Sequence, residues 1–229
     1  MKLKKIILLT PLLFAFNASA MDESENIILK IRANFSSSDG KQSSLPAPTS
    51  RRGIASPQSA GKLLKGGYGI EGAATFFVTD HFAGEFASGL SLYSGKSTTT
   101  AAINYNYSDA NKNNKKRRLY AIPTALTLQY HIAPYGAIRP YAGAGYHYTY
   151  MIPRASEYKV KNGSGFVFQG GLDLVFKDDT YINLDVKQYL LNTTVKYNTN
   201  FATLAGGKQV TSKLKLNPLV IALGLGFKL

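Results

Sequence analysis

The 229-residue chain contains no cysteine and no tryptophan. Without cysteine there is no disulfide scaffold and no lipid anchor through a terminal thioether. Acidic residues are scarce, 13 against 27 lysines and arginines, for a formal charge of +14. Histidine is confined to His81, His131 and His147. Beyond the first residues no segment approaches the roughly 20 apolar residues that a membrane helix requires. A chain of this composition that entered a membrane would have to do so as strands.

The N-terminus does carry an apolar run. Lys2, Lys4 and Lys5 precede Ile6 to Phe16, and Ala18-Ser19-Ala20 follows as a small-residue cleavage site. This is the grammar of a secretory signal, so residues 1–20 are expected to be removed and residues 21–229 to form one domain. The basic excess persists without the three signal lysines. Its densest run, "NKNNKKRRLY" at Asn111 to Tyr120, stands almost alone in an asparagine-rich stretch that reads as a loop. That arrangement argues against nucleic acid as a partner; attraction to anionic lipid phosphates at a membrane surface is the alternative to a merely solvated loop.

The C-terminal "LVIALGLGFKL" shows what kind of strand this is. At period two, Leu219, Ile221, Leu223, Leu225, Phe227 and Leu229 point one way, while Val220, Ala222, Gly224, Gly226 and Lys228 point the other. A large apolar face opposite a small one, over 9 to 11 residues, suits a strand crossing a bilayer in a barrel. Similar segments recur near Ile27–Phe35, Tyr68–Val78, Phe82–Tyr93, Tyr120–Ile132, Ile138–Tyr150, Phe166–Phe176 and Tyr181–Leu191. Short turns, "TDH", "APYGA" and "KDDT", alternate with long polar connections at Ser36–Gly66, Ser94–Lys116, Met151–Ser164 and the Thr/Asn/Gly/Lys-rich stretch before Leu219. The expectation is an all-β fold: an eight-stranded antiparallel transmembrane β-barrel with short periplasmic turns and long extracellular loops. Tyr120, Tyr146, Tyr148 and Tyr150 are expected in an outer aromatic girdle, and Tyr130, Tyr135, Phe176 and Phe227 in an inner one.

The segments "IRPYAGAGYHYTY" (Ile138 to Tyr150), "GFVFQGGLDLVFKDDTYINLDV" (Gly165 to Val186) and "LNPLVIALGLGFKL" (Leu216 to Leu229) resemble the last four strands of the OmpW family of small outer-membrane barrels. "IPTALTLQY" at Ile122 to Tyr130 is similar to the family's fourth strand. The core from Arg139 to Gly145 is the most specific part. The chain ends in Leu229 where an aromatic is usual, and Asn217 precedes Pro218 where aspartate is common in the family. The resemblance implies a bacterial outer-membrane location and a narrow, largely hydrophobic lumen admitting small hydrophobic molecules. It also implies outer-membrane lipids, lipopolysaccharide and the barrel-insertion machinery as partners.

Parity sorts the lumen-facing residues into two groups. Toward the periplasm lie Lys30, Arg32, Glu85, Arg139, Asp173, Asp185, Lys187 and Lys228, which in a barrel this narrow must pair and so form an ionic plug. Toward the outside lie Pro123, Ala125, Gly143, Gly145, Val167, Tyr189, Val220 and Ala222, whose small or apolar side chains suggest a pocket for a hydrophobic ligand. Pro123 and Pro218 each remove a ladder donor and are candidates for a sideways opening in the wall, unless they merely mark strand starts or bulges. No catalytic residue, metal site or cofactor is expected. His81 falls in a turn, and His131 and His147 lie at different heights, with no carboxylate fixed to orient either. The competing reading is a structural or adhesive surface barrel whose basic loops bind external partners.

Overall fold

The computed structural model describes residues 27–37, 41–42, 64–95, 118–153, 158–177, 179–197 and 211–229. The expected signal segment and most of the two long connections before Leu64 and Arg118 lie outside them. The strands are β1 (Ile27–Ser37), β2 (Lys41–Gln42), β3 (Leu64–Phe77), β4 (Phe82–Gly95), β5 (Arg118–His131), β6 (Ile138–Pro153), β7 (Tyr158–Val160), β8 (Gly163–Lys177), β9 (Thr180–Tyr189), β10 (Leu191–Tyr197), β11 (Thr211–Leu216) and β12 (Leu219–Lys228).

Eight of them close a circuit. In order around the wall, β1, β3, β4, β5, β6, β8, β9 and β12 are each antiparallel to the next, and β12 returns to β1. Closure pairs every strand on both sides, the condition for placing a sheet in lipid. The side chains explain the direction of curvature. In β12 the large residues Leu219, Ile221, Leu223, Leu225 and Phe227 are exposed, while Val220, Ala222 and Gly226 are buried. Bulk outside and small residues inside let the wall bend around a narrow lumen.

The connection at Val78 to His81, that at Ile132 to Ala137 and the turn at Asp179 all fall at the end where β1 begins and β12 finishes. There the Leu229 N–H donates to the Ile27 carbonyl at 2.9 Å. Neighbouring turns are tied together, with the His131 N–H donating to the His81 carbonyl at 2.7 Å and the Tyr135 hydroxyl donating to Asp80. Tyr130, Tyr135, Phe176 and Phe227 are exposed near this rim, and Tyr146, Tyr148 and Tyr150 are exposed toward the other, while Tyr120 is only half exposed.

The polar connections are more ordered than composition suggests. Instead of a loop before the last strand, β10 and β11 form a hairpin that carries the seventh and eighth strands past the wall. β7 adds to the β10 edge and β2 to the β11 edge. "LNTTVKY" and "TSKLKL" are rich in alternating and β-branched residues, which favour a ladder with or without lipid beside it. β6 and β8 likewise extend into the connection expected between Met151 and Ser164, which therefore holds β7 as well.

Candidate lumen pocket and the network beneath it

At mid-lumen the inward positions of five strands, β1, β3, β4, β8 and β9, converge on a buried network of charges. The Arg32 guanidinium donates from Nε to Asn183 Oδ1 at 2.6 Å and from Nη1 to Glu71 Oε1 at 2.7 Å. The same Nη1 reaches Glu85 Oε1 at 3.1 Å, and Nη2 reaches Glu85 Oε2 at 2.8 Å. Lys187 Nζ lies 2.6 Å from Glu71, 3.4 Å from Glu85 and 3.5 Å from Asp185, and Lys30 Nζ donates to Asp173 at 2.9 Å. Gln169 bridges Glu85 and Asp185 through its amide nitrogen, at 2.9 and 2.7 Å. All these side chains are at most 5% exposed. Charges taken out of water at this cost are tolerable only when each is paired and hydrogen-bonded, as here. Gly224 makes the space: a Cβ there would lie 2.8 Å from Arg32 Cγ and 2.0 Å from the Ile31 carbonyl oxygen.

Toward the periplasm an aromatic layer underlies this network. Lys30 Nζ sits 4.9 Å from the centre of the Tyr141 ring, which stacks on His131 at 5.2 Å, and His131 in turn meets Phe77 at 4.7 Å. Tyr141 also donates to Asp185 at 2.7 Å. Arg139 lies at the rim, 5.3 Å over the Tyr181 ring, with its Nε donating to the Gly136 carbonyl.

Above the network the lumen opens. A small cavity is lined by Leu119, Ala121, Pro123, Met151, Leu191, Leu216, Pro218 and Val220, with Asn34, Glu71, Ser91, Tyr93, Thr149 and Tyr189 supplying its polar surface. Its floor is the packed cluster of Ala125, Val167, Tyr189 and Val220. His147 braces that floor: it meets Tyr189 edge-on at 4.9 Å, and its ring nitrogens bond Thr149 Oγ1 and the Leu190 carbonyl.

One wall of the cavity runs beside a break in the barrel ladder. β4 and β5 pair from Phe82–Tyr130 to Ser88–Thr124 and again from Ser91–Ala121, but pairing lapses at Gly89, Leu90, Ile122 and Pro123. Pro123 has no N–H to donate, and its pairing with Thr149 on the other side is intact. Pairing lapses over the same length at Pro218, where Asn217 and Pro218 face Leu190 and Tyr189, but there other bonds cross the seam. The Tyr189 N–H donates to the Pro218 carbonyl at 3.1 Å, Gln188 Nε2 to the Asn217 carbonyl at 3.1 Å, and the Leu191 N–H to Asn217 Oδ1 at 3.3 Å. Side chains there replace the missing ladder bonds.

Of the residues expected at an upper pocket, Pro123, Tyr189 and Val220 line the cavity, and Ala125 and Val167 pack beneath it. Gly143, Gly145 and Ala222 do not line it. A Cβ on Gly145 would come within 2.0 Å of the Leu126 carbonyl oxygen, so this glycine serves close strand approach. Of the residues expected in an ionic plug, Lys30, Arg32, Glu85, Asp173, Asp185 and Lys187 are brought together. Arg139 and Lys228 stand instead near the periplasmic end. Glu71, the shared acceptor of Arg32 and Lys187, was not anticipated. It has the same parity as the buried Ala73 and Thr75, but the small residues of "GGYGIEGAATFF" blur the alternation that would reveal it. Asn183, Gln169 and Tyr141 also escaped notice, being uncharged. Among the described residues no cluster of His, Asp and Glu could hold a metal ion.

The OmpW family model matches residues 55–229. A protein of Rickettsia bellii named as an outer membrane protein is 43% identical over 202 residues, covering 88% of this chain and 80% of its own. A counterpart so named in Rickettsia typhi is 40% identical over 214 residues, covering 93% and 86%. Among solved structures, the outer membrane protein OprG of Pseudomonas aeruginosa superposes with a TM-score of 0.68 at 16% identity, over 90% of this chain and 97% of its own. The outer membrane protein AlkL, solved in lipid bilayers, gives 0.59 at 18% identity, over 93% and 96%. At such identities the structures speak for the fold alone.

Proposed function

This chain belongs to the OmpW family of outer-membrane barrels, and from that premise we propose that it admits small hydrophobic molecules from outside the cell and releases them sideways into the bilayer. The observation that carries the reading is the position of the apolar cavity: it sits on a floor sealed by the buried network and shares Pro123 with the gap in the β4–β5 ladder. A solute in a dead end leaves by the way it came or through the wall, and an apolar solute gains free energy by leaving into lipid. The mostly apolar lining suits such a solute better than an ion or a sugar.

A non-catalytic role accords with the site. Each lumenal histidine is engaged in holding its layer: His131 by a 3.2 Å bond to Gln129 and by stacking, and His147 by its bonds to Thr149 and Leu190.

The absence of tryptophan makes a direct test available. Met151→Trp places a unique fluorophore in the lining of the cavity. Titration of the folded variant with small alkyl and aromatic compounds is expected to give a saturable change in emission, with none from sugars or salts. No response to any apolar compound would leave the basic outer loops, and hence an adhesive or structural role, as the better reading.

A further inference from the structure

The cavity is not apolar on every side. Asn34, Glu71, Ser91 and Tyr93 line it from β1, β3 and β4, which are consecutive around the wall. Leu119, Ala121, Pro123 and Met151, from β5 and β6, continue the lining as an apolar arc. Thr149 and Tyr189 add polar atoms elsewhere, both of them packed against His147. A solute without any polar atom would leave the β1–β3–β4 arc desolvated and unmatched.

Asn34 is a member of that arc with a bond still to make. It is nine-tenths buried, and among the described residues its Oδ1 has no hydrogen-bond partner. A buried carbonyl oxygen left unpaired is costly, so such atoms are rare and call for a partner. The register shows why the wall does not supply one. Asn34 lies opposite Gly69, and Gly69 lies opposite Ser91. Gly69 has no side chain to offer, and a Cβ there would lie 3.0 Å from Asn34 Oδ1, so a larger residue would crowd the amide. The last torsion of an asparagine is soft, which lets the amide turn toward a group in the cavity.

The chemistry of the arc narrows the solute. Asn34 Oδ1 and the Glu71 carboxylate only accept, so the matching group must donate. Glu71 is already held by Arg32 at 2.7 Å and by Lys187 at 2.6 Å. A carboxylate on the solute has no proton to offer and would bring an unpaired charge beside Glu71, and an ammonium would bring a charge to an acid that is already paired. A hydroxyl donates, stays neutral and leaves the rest of the molecule to the apolar arc. We propose that the cavity selects small apolar molecules bearing one hydroxyl, the class of short alcohols and phenols, and that Asn34 is the residue that recognises the hydroxyl. This inference rests on the uptake reading above and narrows its substrate class.

The test compares toluene, benzyl alcohol and benzoate, which share a ring and differ in the head group, by the tryptophan emission of the folded Met151→Trp protein with and without Asn34→Leu. Benzyl alcohol is expected to bind the Met151→Trp protein saturably, and benzoate is expected not to bind. Adding Asn34→Leu should weaken benzyl alcohol by about tenfold, the worth of one buried hydrogen bond, while toluene binds as well or better. Retained toluene binding shows that the cavity is still formed. Asn34→Thr, which keeps a hydrogen-bonding oxygen on the same strand, should recover most of the affinity for the alcohol. Equal changes for toluene and benzyl alcohol in Asn34→Leu, or benzoate binding as tight as that of the alcohol, would overturn selection by Asn34 and leave the uptake reading intact. Failure of toluene and benzyl alcohol alike to bind the Met151→Trp protein would overturn the uptake reading, and this inference with it.

Discussion

The lower and upper lumen are enclosed by the same strands, yet they use their inward positions in opposite ways. Below, Lys30, Arg32, Lys187, Glu71, Glu85, Asp173 and Asp185 fill the section, and every one of them is held by a partner on another strand or by a lumen neighbour. Above, Ala121, Pro123, Leu216 and Val220 leave a cavity because their side chains are too short to meet across it. Wall geometry is shared, so the contrast lies in side-chain length and charge. A narrow barrel can be a plug or a pocket at any level according to those inward residues.

The same contrast separates the two prolines. Both remove a ladder donor. Pairing lapses over two residues on each strand at both; at Pro218 the Gln188 and Asn217 side chains cross the lapse, whereas at Pro123 the Ser88 and Thr124 hydroxyls, 3.0 Å apart, only flank it. A proline marks the better candidate opening where side chains only flank the lapse, as at Pro123, than where they cross it, as at Pro218.

The largest effect is expected in the lower lumen. Arg32→Met would leave the buried Glu71 and Glu85 carboxylates with Lys187 as their one remaining shared cation, at a cost of about 3–5 kcal/mol. Urea unfolding in lipid vesicles measures this; a loss below about 1 kcal/mol would mean that Lys187 and Lys30 suffice to hold both acids. In the upper lumen, Ala121→Trp should fill the cavity with an overpacking cost of about 1–3 kcal/mol and reduce uptake of small apolar solutes by about tenfold or more in cells. Undiminished uptake by a folded variant would remove the cavity from the route.

Smaller changes should separate the seams. Pro123→Thr supplies the missing N–H and should stabilise the barrel by about 0.5–1.5 kcal/mol while slowing uptake severalfold. Faster or unchanged uptake would show that solute does not leave between β4 and β5. The smallest effect belongs to Gln188→Leu, which removes the amide donor from the Asn217 carbonyl. Hydrogen exchange at Tyr189 and Leu191 should quicken while uptake stays the same; a change in uptake would place the opening at Pro218 instead.

How much of this was legible in the sequence depended on the residue's partner. Parity in β12 and β1 was plain because one face meets lipid and the other a packed lumen, and lipid tolerates few exceptions. The charged lumen residues were legible for the same reason, since a lysine or arginine inside an apolar alternation has nowhere else to point. Glu71 was obscured by glycines and alanines that carry no facing signal of their own. The β10–β11 hairpin was hidden because beyond the membrane both faces are polar, and composition there looks like loop. Which of the two proline seams is bridged was not legible at all, since it turns on whether Gln188 or any counterpart reaches the seam in three dimensions.

The most direct measurement is steady ion conductance of the folded wild-type protein in a planar bilayer, made on a preparation shown to take up small apolar solutes. The expected result is no steady current, because the buried network closes the lumen below the cavity while solutes leave through the wall. A steady ohmic current with the network residues intact would mean that the lumen is open from end to end, and the division between plug and pocket would fall.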